Sequence, residues 1–162
     1  MISILGLAFP ALAFNKGKSV IAEIFSQHKL TRVFAFHIAE TGSKLFIGWL
    51  GDPALFDESR LEYHPVVKAG AVGLKSAALS YWAIDNGKVK VGEEVIAENL
   101  RTLIVSGTDT IFGPQEQVDK IYAKIETAVK KNGHWILACG LHPFPKISFS
   151  WGGQDWTLTR DR

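Results

Sequence analysis

The sequence predicts a mainly β fold with two short α-helices. Short segments in which apolar and polar residues alternate recur along the chain, and residues typical of turns separate them. Apolar residues at helical spacing occur in only two stretches. Many short strands combined with few helices indicate a β protein rather than a helical bundle or an alternating α/β protein.

The first fourteen residues admit two interpretations. An apolar run precedes Ala11-Leu12-Ala13, a pattern of small residues that suits a signal-peptide cleavage site, although the usual positively charged start is missing. The other interpretation, which we favour, is a buried strand that ends at Pro10. Gly6 and Pro10 interrupt the run, which is also too short to cross a bilayer as a helix, so we expect no membrane anchor.

The first helix and a hairpin follow. Ser19 is a suitable N-cap for a helix whose apolar residues Val20, Ile21, Ile24 and Phe25 share one face. Residues 33–38 and 44–48 then predict two strands, and the intervening Glu40-Thr41-Gly42-Ser43 predicts the turn that joins them.

The middle of the chain predicts further strands. Residues 60–66 alternate again, and residues 80–84 form a short apolar segment before Asp85-Asn86-Gly87, which predicts a tight turn into a strand over 88–92. Between them, residues 69–78 are rich in Gly and Ala without a clear period, which indicates an irregular loop.

The last third begins with an apolar strand at 103–105 that runs into a turn and a Gly-Pro break. Pro114 suits the first turn of a helix, which Asn132-Gly133 would stop. The apolar residues of this helix recur at helical spacing: Val118, Ile121, Tyr122, Ile125 and Val129. Strands are predicted at 135–137, 146–150 and 154–158, the last two joined through Gly152-Gly153.

Composition excludes several classes of function. The 162 residues include 18 basic and 16 acidic side chains, and the two signs are interspersed along the sequence. The sequence therefore shows no basic cluster suited to nucleic acid or an anionic membrane. A single cysteine, Cys139, excludes a disulfide within the chain and a metal site built from several cysteines.

Several short motifs follow one another along the chain: ILGLAFP at 4–10, FAFHIA at 34–39 with GSKLFIG at 42–48, LEYHPV at 61–66 with YWAI at 81–84, and SGT at 106–108 with FGP at 112–114. In this order they resemble the motifs of the pepsin-like aspartic proteases, the fungal-type endopeptidases included. The resemblance implies a pepsin-like lobe that is incomplete, because members of this family have two lobes and about twice this length.

The resemblance also implies how the chain is organised. Residues 1–162 would form a single partial domain, in which 1–14 end the first lobe and 15–162 contain the interlobe region and part of the second lobe. The first lobe, with its own Asp-Thr-Gly loop, would lie before Met1. Cys139 would correspond to a cysteine whose disulfide partner lies farther along, and the family implies a secreted or vacuolar protein.

The catalytic carboxylate implied by the resemblance is missing. It would directly precede Ser106-Gly107-Thr108, and that position holds Val105. Either Val replaces the Asp or an Asp is deleted between Val105 and Ser106. Asp109, four residues after Val105, is interpreted as an ordinary loop residue that bonds nearby backbone. We therefore expect no catalytic residue in this chain.

Two functions follow from these observations. The first is a non-catalytic binding or interaction protein for a peptide or protein ligand, which could form homo-oligomers through exposed apolar surface or through Cys139. The second is a fragment or subunit of an active aspartic endopeptidase that needs a partner chain to supply carboxylates.

Other chemistry has little support. His134, Cys139 and His142 would supply three of the four ligands that a structural zinc site needs. No Gly-x-Ser-x-Gly elbow surrounds Ser106, and the Gly-rich residues 69–76 lack the spacing of a phosphate-binding loop. We expect neither a metal nor a cofactor.

Overall fold

A computed structural model describes residues 4–13, 19–69, 79–137 and 145–158. Its regular structure consists mostly of strands with two α-helices, which confirms the predicted fold class. The chain divides into two compact units. The first unit contains Met1–Tyr63 and Lys68–Trp82, and the second contains His64–Val67 and Ala83–Arg162. The prediction of a single partial domain over 1–162 stays a prediction.

In its described residues, the first unit contains one α-helix, one hairpin and three short 3-10 helices. Its elements are the 3-10 helix Pro10–Leu12, α1 (Val20–Gln27), β1 (Phe34–His37), β2 (Lys44–Ile47), and the 3-10 helices Pro53–Leu55 and Glu58–Arg60.

Helix α1 and the hairpin form as predicted. Ser19 Oγ accepts a hydrogen bond from the Ala22 backbone N–H at 3.3 Å, which satisfies one of the unpaired donors at the helix start. Ile21 lies on the buried side of the helix. Strands β1 and β2 pair antiparallel from Phe34 opposite Ile47 to the turn that contains Gly42, whose φ is +76°.

Trp82 is the centre of the aromatic packing in the first unit. Its ring lies 4.5 Å from that of Phe9 and 5.4 Å from that of Phe34, measured between centroids. Its indole Nε1 donates a hydrogen bond to the Leu7 carbonyl at 2.8 Å. These contacts attach the N-terminal segment to β1.

The predicted buried strand ending at Pro10 is wrong. Residues 4–9 have no regular structure, and the side chain of Ile4 is 93% exposed. A strand requires a ladder of backbone bonds to a neighbour, whereas among the described residues this segment has one backbone bond to a distant residue, from the Phe9 N–H to the Ser80 carbonyl. The signal-peptide interpretation stays untested.

The strand predicted over 60–66 is also wrong. Asp57 accepts a hydrogen bond from the Ser59 backbone N–H and caps the 3-10 helix Glu58–Arg60, and the residues that follow are extended without a strand partner. Alternation fits a strand but does not supply a neighbour, and Pro65 removes one of the backbone donors that a ladder would use.

The second unit contains a four-stranded sheet, one α-helix and a separate hairpin. Its elements are β3 (Ala83–Val91), β4 (Glu94–Leu103), α2 (Gln115–Ala123), β5 (Val129–Lys131), β6 (His134–Ile136), β7 (Ile147–Ser150) and β8 (Trp156–Thr157). The sheet order is β4-β3-β7-β8, and β5 pairs with β6. The buried residues of β3 and β7 lie at the centre of this sheet.

The tight turn predicted at Asp85-Asn86-Gly87 is wrong, because β3 continues through these residues. They form a β-bulge, in which β3 advances three residues from Ile84 to Gly87 while β4 advances two. A Cβ on Gly87 would lie 2.6 Å from Thr102 Oγ1 and 2.8 Å from the Leu100 carbonyl. Glycine therefore allows β4 to approach closely at this point.

The second helix is shorter than predicted. Helix α2 ends at Ala123, and Val129 belongs to β5 rather than to the helix. Asn132 and Gly133 have φ angles of +52° and +80°, the signs that a two-residue hairpin turn requires, so this pair joins β5 to β6 and does not stop a helix.

Of the strand predicted at 103–105, only Leu103 lies in a strand, because Ile104 and Val105 follow the end of β4 and have no strand partner. The three later strand predictions hold. The predicted strands at 135–137, 146–150 and 154–158 correspond to β6, β7 and β8. Cys139, His142 and residues 70–78 of the predicted irregular loop lie outside the described residues. Within the described residues, neither helix has the length and apolar character needed to cross a membrane.

Candidate functional site

The candidate site is the segment 104–114, which connects β4 to α2 and is called here the 104–114 loop. It begins where β4 ends at Leu103, and Pro114 stands at the N-cap of α2. All its residues are exposed to solvent, including Val105, whose exposed fraction is 54%. A strand, a loop and a helix thus follow one another in the order that the sequence predicted.

The hydrogen bonds of the 104–114 loop are local. Ser106 and Gly107 form a turn. Thr108 Oγ1 accepts a hydrogen bond from the Thr110 backbone N–H at 3.1 Å. Thr110 Oγ1 in turn donates to Asp109 Oδ1 at 3.0 Å. Asp109 thus bonds an adjacent side chain rather than the nearby backbone that the sequence suggested.

The chemistry available in this loop is limited. Val105 has no ionisable group, and the hydroxyls of Ser106 and Thr108 are too weakly basic to take a proton from water. Asp109 makes no ion pair with a described residue. In the part of the chain that the structure describes, His, Cys, Asp and Glu side chains nowhere gather in groups of three or more.

Asp119 on α2, in the second unit, is a carboxylate that accepts several hydrogen bonds. It accepts hydrogen bonds from Lys130 Nζ at 2.7 Å, from Trp135 Nε1 at 2.7 Å and from Gln115 Nε2 at 2.8 Å. The bond from Lys130 chiefly lowers the pKa of Asp119, with Trp135 and Gln115 acting in the same direction against partial burial. These bonds join α2 to the hairpin formed by β5 and β6.

The sheet holds two further ion pairs. Arg101 Nε donates to Asp85 Oδ1 at 2.7 Å across β3 and β4, and this bond lowers the pKa of Asp85. Lys90 Nζ lies 2.7 Å from Asp155 Oδ2. Each carboxylate faces a cation rather than a second carboxylate, so neither pair provides the shared proton of an aspartic protease.

Only one of the three zinc ligands considered from the sequence lies in the part of the chain that the structure describes. His134 is the first residue of β6 and is exposed. Cys139 and His142 lie outside the described residues, so the structure does not bring the three together or separate them.

A groove that the sequence did not predict lies between β4 and α2. It has a volume of about 440 Å³ and is lined by residues 95–98 and 100 of β4 together with Gln117 and Lys120 of α2. Sequence analysis identified a strand only from Leu103 onward. The alternation of Val95 and Ala97 with Ile96 and Glu98 is too weak to indicate the strand, because apolar residues occupy both faces.

A mainly β unit in which a strand enters a Ser-Gly-Thr loop, followed by a Gly-Pro and a helix, has the arrangement of a pepsin-like lobe. The family model described as eukaryotic aspartyl protease matches residues 2–162, and the chain belongs to this family.

Curated relatives agree with this assignment. The chain is 27% identical to an aspartic protease of Phaffia rhodozyma over 94% of its own length and 37% of the relative. It is 27% identical to cathepsin D of Chionodraco hamatus, over 98% and 39% of the two lengths. It is 29% identical to napsin-A of Homo sapiens, over 96% and 36%. The chain thus spans less than two fifths of the length of these relatives.

Proposed function

We propose that this chain is a non-catalytic member of the aspartyl protease family that acts by binding a peptide or protein ligand. The observation that carries the proposal is Val105, which occupies the position before Ser106-Gly107-Thr108 where the family resemblance implies the catalytic carboxylate. Replacement of an Asp and deletion of an Asp give the same chemical result, because either leaves an aliphatic group before the turn.

The mechanism of an aspartic protease depends on two carboxylates that share one proton. Like charges this close cannot both ionise, so one carboxylate takes a proton from water while the protonated partner donates to the peptide carbonyl. An isopropyl group at Val105 can do neither. Asp109 does not replace it, because it bonds Thr110 Oγ1 and forms no pair with another described carboxylate.

A direct test is an acid proteolysis assay with the purified chain and a denatured globular protein as substrate. We expect no cleavage between about pH 2 and pH 5, the range in which a carboxylate pair of the pepsin type holds one proton. Cleavage that pepstatin inhibits would contradict the proposal. A full-length, active aspartic protease is the positive control.

Restoring the missing carboxylate should not be sufficient. We expect Val105→Asp to remain inactive as a monomer, because one carboxylate cannot form the shared-proton pair. Val105 is exposed, so the substitution should change the free energy of unfolding by less than about 0.5 kcal/mol. Acid proteolysis by a dimer of this variant, detected together with its mass by analytical ultracentrifugation, would instead support a site assembled from two copies.

The second candidate is a subunit of an active endopeptidase. It is favoured by the exposed apolar residues of the 104–114 loop, of which Phe112 is 80% exposed and Ile111 65% exposed. Such residues suit a surface that a partner chain covers. Under this alternative, adding a partner chain that supplies both catalytic carboxylates and is inactive by itself would generate pepstatin-sensitive cleavage, whereas our proposal expects none.

A further inference from the structure

Strand β4 lies at one edge of the four-stranded sheet. Its ten residues pair with β3 on one side, and no described strand pairs with it on the other. An edge strand presents a row of backbone N–H and C=O groups that can pair with another extended chain. β4 is therefore a place where a further strand can be added.

Helix α2 forms the opposite wall of a groove along this edge. Of the strands in the sheet, β4 is the one against which α2 mainly packs. The 104–114 loop joins the end of β4 to the start of α2, and Lys124 Nζ pairs with Glu94 Oε1 at 2.7 Å at the other end. Strand and helix thus run in opposite directions, held at both ends, with the groove of about 440 Å³ between them.

Two side chains indicate what the groove accepts. Gln117 Oε1 is buried and, within the described residues, has no hydrogen-bond partner, which is costly for a polar atom. The Gln117 amide carries both a donor and an acceptor, the two groups that an extended backbone offers. The charged residues of the lining are Glu98 and Lys120. Lys120 pairs with Glu116 of its own helix at 2.6 Å, whereas Glu98 is exposed and makes no ion pair among the described residues, so Glu98 is the charge that can complement a cation.

From these features we propose that the groove between β4 and α2 binds an extended peptide segment that adds to the sheet beside β4. The segment carries a Lys or Arg that faces Glu98, and its backbone bonds the Gln117 amide. This inference rests on the proposed interaction role and assigns it a site separate from the 104–114 loop.

A second copy of β4 is a poorer occupant than a flexible peptide. The register of β4 against β3 shifts twice between Leu100 and Val95, so its edge is bent by irregularities. A flexible peptide can follow one bent edge. Two copies of β4 would bring two bent edges together and lose ladder hydrogen bonds on both sides, which is how irregular edges resist self-pairing.

The first experiment uses a synthetic nonapeptide of alternating Thr and Val with a central Lys. Binding to the whole chain at neutral pH is followed by fluorescence anisotropy and by backbone amide shifts in NMR spectra. We expect the shifts to centre on residues 94–100 and on Gln117. A strand pairs through alternate residues, so N-methylation of one alternating set of peptide amides should weaken binding at least about tenfold, while the other set is tolerated.

Charge exchange tests the role of Glu98. We expect Glu98→Lys to weaken the Lys peptide about three- to fivefold and to strengthen by a similar factor a peptide with Glu at its centre, as for a solvent-exposed ion pair. Glu126→Lys makes the same charge change outside the groove and should alter neither affinity. Binding of the Glu peptide by Glu98→Lys would show that this variant is folded. A misfolded variant, which would bind neither peptide, is therefore distinguishable from a failed proposal.

Specific outcomes would overturn the inference. Equal binding of both N-methylated peptides, shifts that map away from residues 94–120, or no binding at millimolar peptide would each contradict it. Concentration-dependent shifts of β4 without peptide, with a dimer mass in ultracentrifugation, would identify a second copy as the occupant and also overturn it. Cleavage of the peptide, followed by mass spectrometry, would count against the proposed function alone, because the site mapping is read independently.

Discussion

The helix–hairpin, defined as α2 with β5 and β6, and the 104–114 loop that precedes it are adjacent in sequence but differ in how they are held. In the helix–hairpin, Asp119 accepts bonds from both α2 and the hairpin, and Tyr122 stacks on Trp135 with 5.3 Å between ring centroids and 7° between planes. In the loop, the side-chain hydrogen bonds join residues one or two positions apart.

The segment that resembles the family motif is therefore not the segment in which a carboxylate has the strongest interactions. The loop carries the family-like Ser106-Gly107-Thr108 and the Gly-Pro that follows, yet its hydrogen bonds do not fix a carboxylate for catalysis. In the helix–hairpin, neighbouring groups fix the carboxylate of Asp119, and its partners are a lysine, an indole and an amide. These interactions join α2 to the hairpin.

The largest expected effect comes from Trp135→Ala in the helix–hairpin. The change removes the stacking on Tyr122, the hydrogen bond to Asp119 and the contact of Lys130 with the indole ring. We expect the free energy of unfolding in urea, followed by circular dichroism, to fall by about 2–3 kcal/mol. Phe112→Ala, an aromatic truncation in the loop, should change it by less than about 0.5 kcal/mol. Equal losses would remove the distinction between the two regions.

A smaller effect is expected from a pair of glycine substitutions. Gly133 has φ +80° in the hairpin turn and open space around its Cα, so Gly133→Ala should cost about 1 kcal/mol through backbone conformation alone. Gly107 lies in the loop, does not have a left-handed φ and also has open space, so Gly107→Ala should be neutral or stabilise by up to about 1 kcal/mol. The same urea titration measures both, and a larger loss at Gly107 would contradict the comparison.

The smallest effect concerns the charge on Asp119, because solvent reaches this ion pair. Hydrogen bonds lower the pKa of Asp119 in the folded chain, so its stabilisation is complete above the ordinary aspartate value of 3.8 and is lost as pH falls through the lowered folded value. We therefore expect the unmodified chain to have a higher urea midpoint than Asp119→Asn at neutral pH. This difference should shrink as the pH falls below the ordinary aspartate pKa of 3.8.

Lysine variants provide the matched controls for this prediction. Lys130→Met removes the main cause of the lowered pKa of Asp119 and should reduce the same pH dependence. Lys131→Met removes an exposed charge from the neighbouring position on β5, where no ion pair is found among the described residues, and should leave the dependence unchanged. If Lys130→Met leaves the pH dependence of stability unchanged, that dependence arises from groups other than the Asp119–Lys130 pair.

Elements with strong local signals were predictable from the sequence. Ser19 and the apolar face behind it predicted α1, and Gly152-Gly153 between two alternating segments predicted the connection of β7 to β8. Elements that depend on a distant neighbour were not predictable. The apolar N-terminal segment forms no strand, because a single bond such as that from Phe9 to Ser80 is not a ladder. Strand β4 over 94–102 was missed because both of its faces carry apolar residues.

The candidate site also has one feature that was readable from the sequence and another that was not. The presence of Val105 directly before Ser106-Gly107-Thr108 is a property of the sequence and needed no coordinates. The groove between β4 and α2 required them, because Gln117 and Glu98 are nineteen positions apart and come together only when the helix packs on the edge of the sheet.

Two Asn-Gly pairs show what the sequence by itself determined and what only the tertiary structure decided. The sequence determined that the chain can adopt a left-handed backbone at both pairs, and both Asn86 and Asn132 do so, with φ angles of +64° and +52°. The tertiary structure decided that Asn132-Gly133 is a hairpin turn while Asn86-Gly87 is a bulge inside β3. The physical reason is that β3 is paired with β4 on one side and β7 on the other, so continuing the ladder past Asn86 keeps backbone hydrogen bonds that a turn there would break.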